Sequence, residues 1–124
     1  MNLLLDTHLL LWSAFAADRI APATARRLLD PVNALWFSAA SIWEVAIKRR
    51  LGKLDAPDDL LAQLERAGVD LLSITAAHAD RVATLPMHHQ DPFDRLLIAQ
   101  AITDGLTLVS ADGAMRNYEI EVLW

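Results

Sequence analysis

Four carboxylates stand where a carboxylate is hard to place. Asp6 directly follows the apolar run 3–5 and is itself followed by more leucines. Glu44 lies between Trp43 and Val45 in a strongly apolar segment. Asp94 sits two residues after Pro92, and Asp112 three residues after the apolar run 106–109. Taking a carboxylate out of water is expensive unless something compensates it. Each acid alone has a plain structural explanation. Asp6 can cap a helix, and Glu44 has capping-box spacing from Ser41. Asp91 and Asp94 suit the positive end of a helix dipole, and Asp112 suits a turn with Gly113. Together they say more, because they come from four separate segments. Two bare carboxylates about 4–5 Å apart repel by roughly a few kcal/mol at an effective dielectric near 20. Convergence of four calls for cations. Carboxylate oxygens suit Mg²⁺ or Mn²⁺ rather than zinc, and such ions on acids favour phosphoryl chemistry.

Several neighbours bear on that chemistry. Thr7 and Ser110 are placed to hydrogen-bond the acids or a phosphate, with ordinary cap and turn hydroxyls as the alternative. Ser41, Glu44 and Lys48 share one helix face at i, i+3 and i+7. Lys48, Arg49 and Arg50 end that helix, where positive charge suits the dipole, and also offer a patch for phosphate. Arg95 and Arg116 lie near acids in sequence and are candidate contacts to a phosphate backbone. His88 and His89 lack ligand spacing such as i, i+4, and are expected in solvent or at the edge of a substrate. Trp12 and Trp43 are expected in the core or at an interface.

The elements that must position these residues alternate in type. Strands are expected at 3–5, 34–37, 70–74, 106–109 and 120–123. Helices are expected at 7–15, 23–29, 41–51, 57–66, 75–84 and 92–104, with a loop at 86–91 and a turn or short helix at 111–117. Apolar strands alternating with helices imply an α/β domain with a mainly parallel sheet. In such sheets ligands bind beyond the carboxyl ends of the strands. Asp6 and Asp112 both follow strands, and Asp94 opens a helix.

The chain has 124 residues, no cysteine and no linker or repeat. Residues 1–124 are expected to form one domain, large enough to bury roughly two thirds of its unfolded surface. The lack of cysteine excludes disulfides and thiolate metal sites and fits a reducing cytoplasm. No apolar stretch has the length and freedom from charge of a membrane span, and no secretion signal is expected. Apolar residues make up 54% of the chain and charged residues 22%. That excess points to a subunit or partner interface. A net charge of −5 argues against a nucleic-acid partner, but not if four of the acids hold metal ions.

Four blocks occur in an order that points to a known family: LLLDTHLLLW at 3–12, SAASIWEVAIK at 38–48, DPFDRLLIAQA at 91–101 and LVSAD at 108–112. They resemble PIN-domain ribonucleases, and most of all the VapC-like toxins of toxin–antitoxin pairs. The likeness covers essentially the whole chain. It implies a three-layer α/β/α fold around a mainly parallel sheet of about five strands. It also implies Mg²⁺- or Mn²⁺-dependent endoribonuclease activity, with metal-activated water hydrolysing the phosphodiester. Inhibition by a cognate antitoxin and formation of a homodimer follow from it as well. Asp6, Glu44, Asp94 and Asp112 fall on the family's acidic positions as catalytic and metal-binding residues. Asp6 and Asp94 are expected to hold a metal directly, with Glu44 and Asp112 completing its shell or that of a second ion. Thr7, Ser110, Lys48 and Arg95 are candidate substrate or supporting residues. Met115 departs from the family, which commonly has an aromatic there. Two rival readings remain open. An aspartate-based, haloacid-dehalogenase-like phosphoryl transferase would want a second Asp where His8 stands. A non-catalytic acidic interaction domain would use the acids only as caps.

Overall fold

The first apolar run becomes β1 (Asn2–Leu5), the middle strand of the sheet, in a computed structural model that describes residues 1–124. It is flanked by β2 (Ala34–Ser38) and β4 (Thr107–Val109). β3 (Asp70–Leu72) and β5 (Val122–Leu123) form the edges, giving the order β3-β2-β1-β4-β5, with every pairing parallel. A parallel strand covered on both faces has no reason to alternate in polarity. Leu3, Leu4 and Leu5 are accordingly all buried.

Their side chains point alternately to the two faces. Leu3 and Leu5 join a core containing Leu9, Leu10, Val45, Leu60 and Leu64. Leu4 joins another containing Leu97, Ile98, Leu108 and Met115. Helices therefore cover both faces, which makes the three-layer α/β/α arrangement. α1 (Thr7–Phe15) and α4 (Leu60–Arg66) supply the first core, and α6 (Pro92–Asp104) the second. α3 (Ala39–Arg50) touches both α1 and α6. α2 (Pro22–Leu29) packs on the first core through Ala25 and Leu28, and α5 (Ala76–Val82) lies on α6. No helix is long and apolar enough to cross a membrane.

Three local expectations need correction. α3 begins at Ala39, not at Ser41, so the Ser41–Glu44 capping box does not form. Ser38 ends β2 in an extended conformation and its hydroxyl accepts from Ala40 N at 3.0 Å, which starts the helix earlier. The Ser38 hydroxyl is in turn fixed by donating to Gln100 Oε1 at 2.6 Å. α4 begins at Leu60 rather than Pro57, because residues 57–59 form a turn whose Pro57 carbonyl accepts from Leu60 N. The last strand shrinks to Val122–Leu123, since the backbone N–H of Ile120 bonds back to the Tyr118 carbonyl instead of joining the ladder. Thr75 caps α5 as expected, and the His78 ring returns the bond to the Thr75 N–H. Gly105 closes α6 at φ +66°, a left-handed conformation that glycine adopts at no steric cost.

Candidate active site

Asp6 lies just past β1. Its backbone N–H extends the sheet to Val109 O at 3.1 Å, and its Oδ1 caps α1 by accepting from Leu9 N at 2.8 Å. The cap is real, yet it uses only part of the carboxylate. Asp6 is 6% exposed. Burial raises its pKa above the ordinary range, and hydrogen bonds from Ser110 and Leu9 only partly oppose this. The negative charge of Asp112 adds to the rise.

Glu44 is still more buried, at 3% exposure. Both its oxygens have partners. Thr7 Oγ1 donates to Oε1 at 2.7 Å, and Lys48 Nζ lies 2.5 Å from Oε2. The Ser41 hydroxyl lies 2.9 Å from Thr7 Oγ1. Thr7 has one proton, and the carboxylate can only accept. The Thr7 proton therefore goes to Glu44 and the Ser41 proton to Thr7. Lys48 is pulled toward its charged form, first by the hydrogen bond to Glu44, with Asp91 and Asp94 contributing.

Asp94 occupies the first turn of α6. Asp91 is the true cap there, its Oδ1 accepting from Phe93 N at 2.8 Å and Asp94 N at 3.4 Å. The Asp94 carboxyl is pushed up to about 6, by burial first and then by the charges of Asp91, Glu44 and Asp6. Asp112 behaves oppositely. A hydrogen bond from His89 holds its pKa low, and its Oδ1 also accepts from Ala114 N at 2.9 Å. His89 Nε2 lies 3.1 Å from Asp112 Oδ2, and Ser110 Oγ accepts from Asp112 N at 3.1 Å.

The four sequence-selected acids are linked through their charges, and only Asp94 and Asp112 come together, with His89, as one group of potential ligand atoms. Asp94 feels Asp6 and Glu44, and Asp6 feels Asp112. Thr7 and Lys48 each touch Glu44, and Ser110 touches both Asp6 and Asp112. Arg95 does not join them. Its guanidinium is buried and donates to the carbonyls of Val82, Leu85, Pro86 and His89, so it holds the 82–89 segment together rather than facing a substrate. Arg49 pairs with Asp58, which separates it from Lys48. Met115 is in the core at 1% exposure, in the cluster with Leu4, Leu97, Ile98 and Leu108. Trp12 packs against Trp124 with ring centres 5.7 Å apart. Trp43 is 59% exposed and meets Phe93 edge-on at 5.2 Å, beside the start of α6.

Sequence reasoning missed His89. One of its ring nitrogens and one carboxylate oxygen each from Asp94 and Asp112 lie within 4.8 Å of one another. Nothing in the local spacing of His88 and His89 indicates this, because the ring is set by Tyr118, far along the chain. The donor set is oxygen-rich with one nitrogen, Asp94 is partly buried among the charges of Asp91, Glu44 and Asp6 while Asp112 stays exposed, and a divalent cation fits it.

The chain matches the family model described as PIN domain over residues 3–121. It is 29% identical over 120 residues to Ribonuclease VapC22 of Mycobacterium tuberculosis (strain ATCC 25618 / H37Rv), covering 94% of this chain and 92% of that one. Ribonuclease VapC16 of the same organism is 42% identical over 67 residues, covering 51% of this chain and 47% of that one. Among solved structures, the crystal structure of VapBC2 from Rickettsia felis bound to a DNA fragment from its promoter superimposes with a TM-score of 0.74 at 14% identity, over 99% of this chain and 98% of that one. VapBC-1 from nontypeable Haemophilus influenzae gives 0.65 at 15% identity, over 99% and 97%. At such identities the structures speak for the fold. Because the PIN-domain match spans residues 3–121 of its 124, the chain belongs to the PIN-domain family.

Proposed function

We propose that this protein is a divalent-cation-dependent endoribonuclease and the toxin of a toxin–antitoxin pair. One observation carries the reading: carboxylate oxygens of Asp94 and Asp112 and a ring nitrogen of His89 lie within 4.8 Å of one another, and burial with the charges of Asp91, Glu44 and Asp6 pushes Asp94 up to about 6. An acid kept that uncomfortable without a cation suits a site built to receive one. The names of the two Mycobacterium tuberculosis relatives support ribonuclease activity. The VapBC complexes of like fold support an antitoxin partner.

Asp6 and Asp94 would hold Mg²⁺ or Mn²⁺, with Glu44 and Asp112 completing the shell. When bound, the ion supplies an activated water and charge stabilisation on the scissile phosphate. The chain's own residues prepare that pocket. Thr7 keeps Glu44 in one orientation, and Ser110 links Asp6 to Asp112. Leu5, Leu9 and Val109 keep water from beneath Asp6, which strengthens every charge interaction there. Lys48, 35% exposed at its side chain, leaves N–H donors free for a phosphate oxygen. Trp43, Ile47 and Leu51 are exposed along one side of α3 at successive i, i+4 positions, an apolar stripe suited to antitoxin or a second subunit.

The test is cleavage of a panel of cellular RNAs with Mg²⁺ or Mn²⁺, with chelator, and with Asp6→Asn. Cleavage that needs the ion and disappears in a folded Asp6→Asn protein is expected. Full activity in that variant refutes the assignment.

A further inference from the structure

His89 is held more firmly than a loop histidine needs to be. Its backbone N–H donates to Tyr118 Oη at 2.9 Å, and its Nδ1 lies 3.2 Å from the same oxygen. Its ring stacks on Tyr118 with centres 5.6 Å apart and planes 23° apart. Its carbonyl accepts from Arg95 Nη1 at 3.4 Å. Together these leave Nε2 directed at Asp112, 3.1 Å from its Oδ2, with a ring nitrogen in the 4.8 Å cluster that also holds Asp94. A histidine that ligates a metal characteristically has its other ring nitrogen fixed by a hydrogen bond, which sets tautomer and ring plane. Tyr118 Oη is such a group here. It has two lone pairs, enough for the backbone N–H and for a proton on Nδ1. Without an ion, Nε2–H donates to Asp112 Oδ2; an ion replacing that proton would find the Nε2 lone pair free, with Nδ1–H then donated to Tyr118 Oη.

We infer that His89 supplies a nitrogen ligand to the divalent-cation pocket, so that the pocket takes a first-row transition ion, Mn²⁺ among them, in preference to Mg²⁺. The inference rests on the reading that the acids hold a divalent ion. The preference follows from ligand chemistry. Imidazole nitrogen suits transition ions, whereas Mg²⁺ is bound by oxygen and keeps much of its water.

The experiment uses the full chain with Mn²⁺ alone and with Mg²⁺ alone. Calorimetry gives the affinities, and pulsed electron paramagnetic resonance of bound Mn²⁺ reads coupling to a directly bound nitrogen. Two variants are compared, His89→Gln and His8→Gln. His8 carries the other imidazole whose charge reaches Asp6 and Asp112. Nitrogen coupling is expected in the unaltered protein and in His8→Gln, and is lost in His89→Gln. Mn²⁺ affinity should fall by about 10–100-fold in His89→Gln, with Mg²⁺ affinity little changed. Bound Mn²⁺ without nitrogen coupling, or equal weakening of both ions, overturns the inference and leaves His89 as a hydrogen-bond partner of Asp112. Failure of both ions to bind sinks the cation reading itself, so the two failures are distinguishable.

Discussion

Replacing Asp94 by Asn should stabilise the cation-free protein while disabling it. The Asp94 carboxyl rises from 3.8 to about 6 on folding, because burial and the charges of Asp91, Glu44 and Asp6 all disfavour its ionised form. A raised acid carries a penalty above its folded pKa. Between 3.8 and about 6 the folded protein holds a proton that the unfolded chain has released. Stability therefore falls as pH rises through that window and stays lower above it. Each pKa unit corresponds to about 1.4 kcal/mol. Asp94 is only partly buried, so solvent screens the effect, and about 1–2 kcal/mol is a reasonable size. Asn is nearly isosteric and cannot ionise. In chelator at neutral pH, Asp94→Asn should melt several degrees higher than the unaltered protein, given roughly 3–6 °C per kcal/mol at this size. Below about pH 3 the gain should vanish, since Asp94 is then largely protonated in both states. Excess Mn²⁺ should reverse the order, because an ion bound only to the folded state adds RT ln(1 + [L]/Kd). Circular dichroism melts across pH, with and without Mn²⁺, measure all three. A variant destabilised equally at every pH refutes the argument.

Other substitutions separate support from chemistry. Arg95→Ala should cost about 2–4 kcal/mol in urea unfolding, since it leaves buried carbonyls of the 82–89 segment unsatisfied; unchanged stability would contradict its inward placement. Thr7→Val removes the donor to Glu44 Oε1 and should cost about 1–3 kcal/mol, while Thr7→Ser should restore most of it. Equal stability of the two variants by denaturant titration would refute the bond. Met115→Ala should cost about 2–5 kcal/mol through an unfilled space in the core under α6, read as a lowered denaturation midpoint.

Much of the fold was legible because each layer follows from local pattern. The uninterrupted leucines at 3–5 announce a strand buried on both faces, and Pro92 and Gly105 bracket α6 as helix boundary residues should. The acids were legible as types out of place. Their convergence is expected from their places at strand ends and helix starts and from the order of the motif blocks, whereas the strand order that sets β1 between β2 and β4 is not dictated by local pattern. Local spacing misled at Ser41 and Glu44. The better cap, Ser38, is selected by its bond to Gln100, a contact across 62 positions. Arg95 at the start of a helix reads as exposed charge, and only the path of residues 82–89 turns it inward. His89 was invisible for the same reason, since Tyr118 fixes it from 29 positions away.

The most direct test is a calorimetric titration of Mn²⁺ into the unaltered protein and into the Asp6→Asn, Asp94→Asn double variant. Saturable binding in the first and none in the second is the predicted result. Indistinguishable binding by the two proteins would mean that these carboxylates are not the cation's seat.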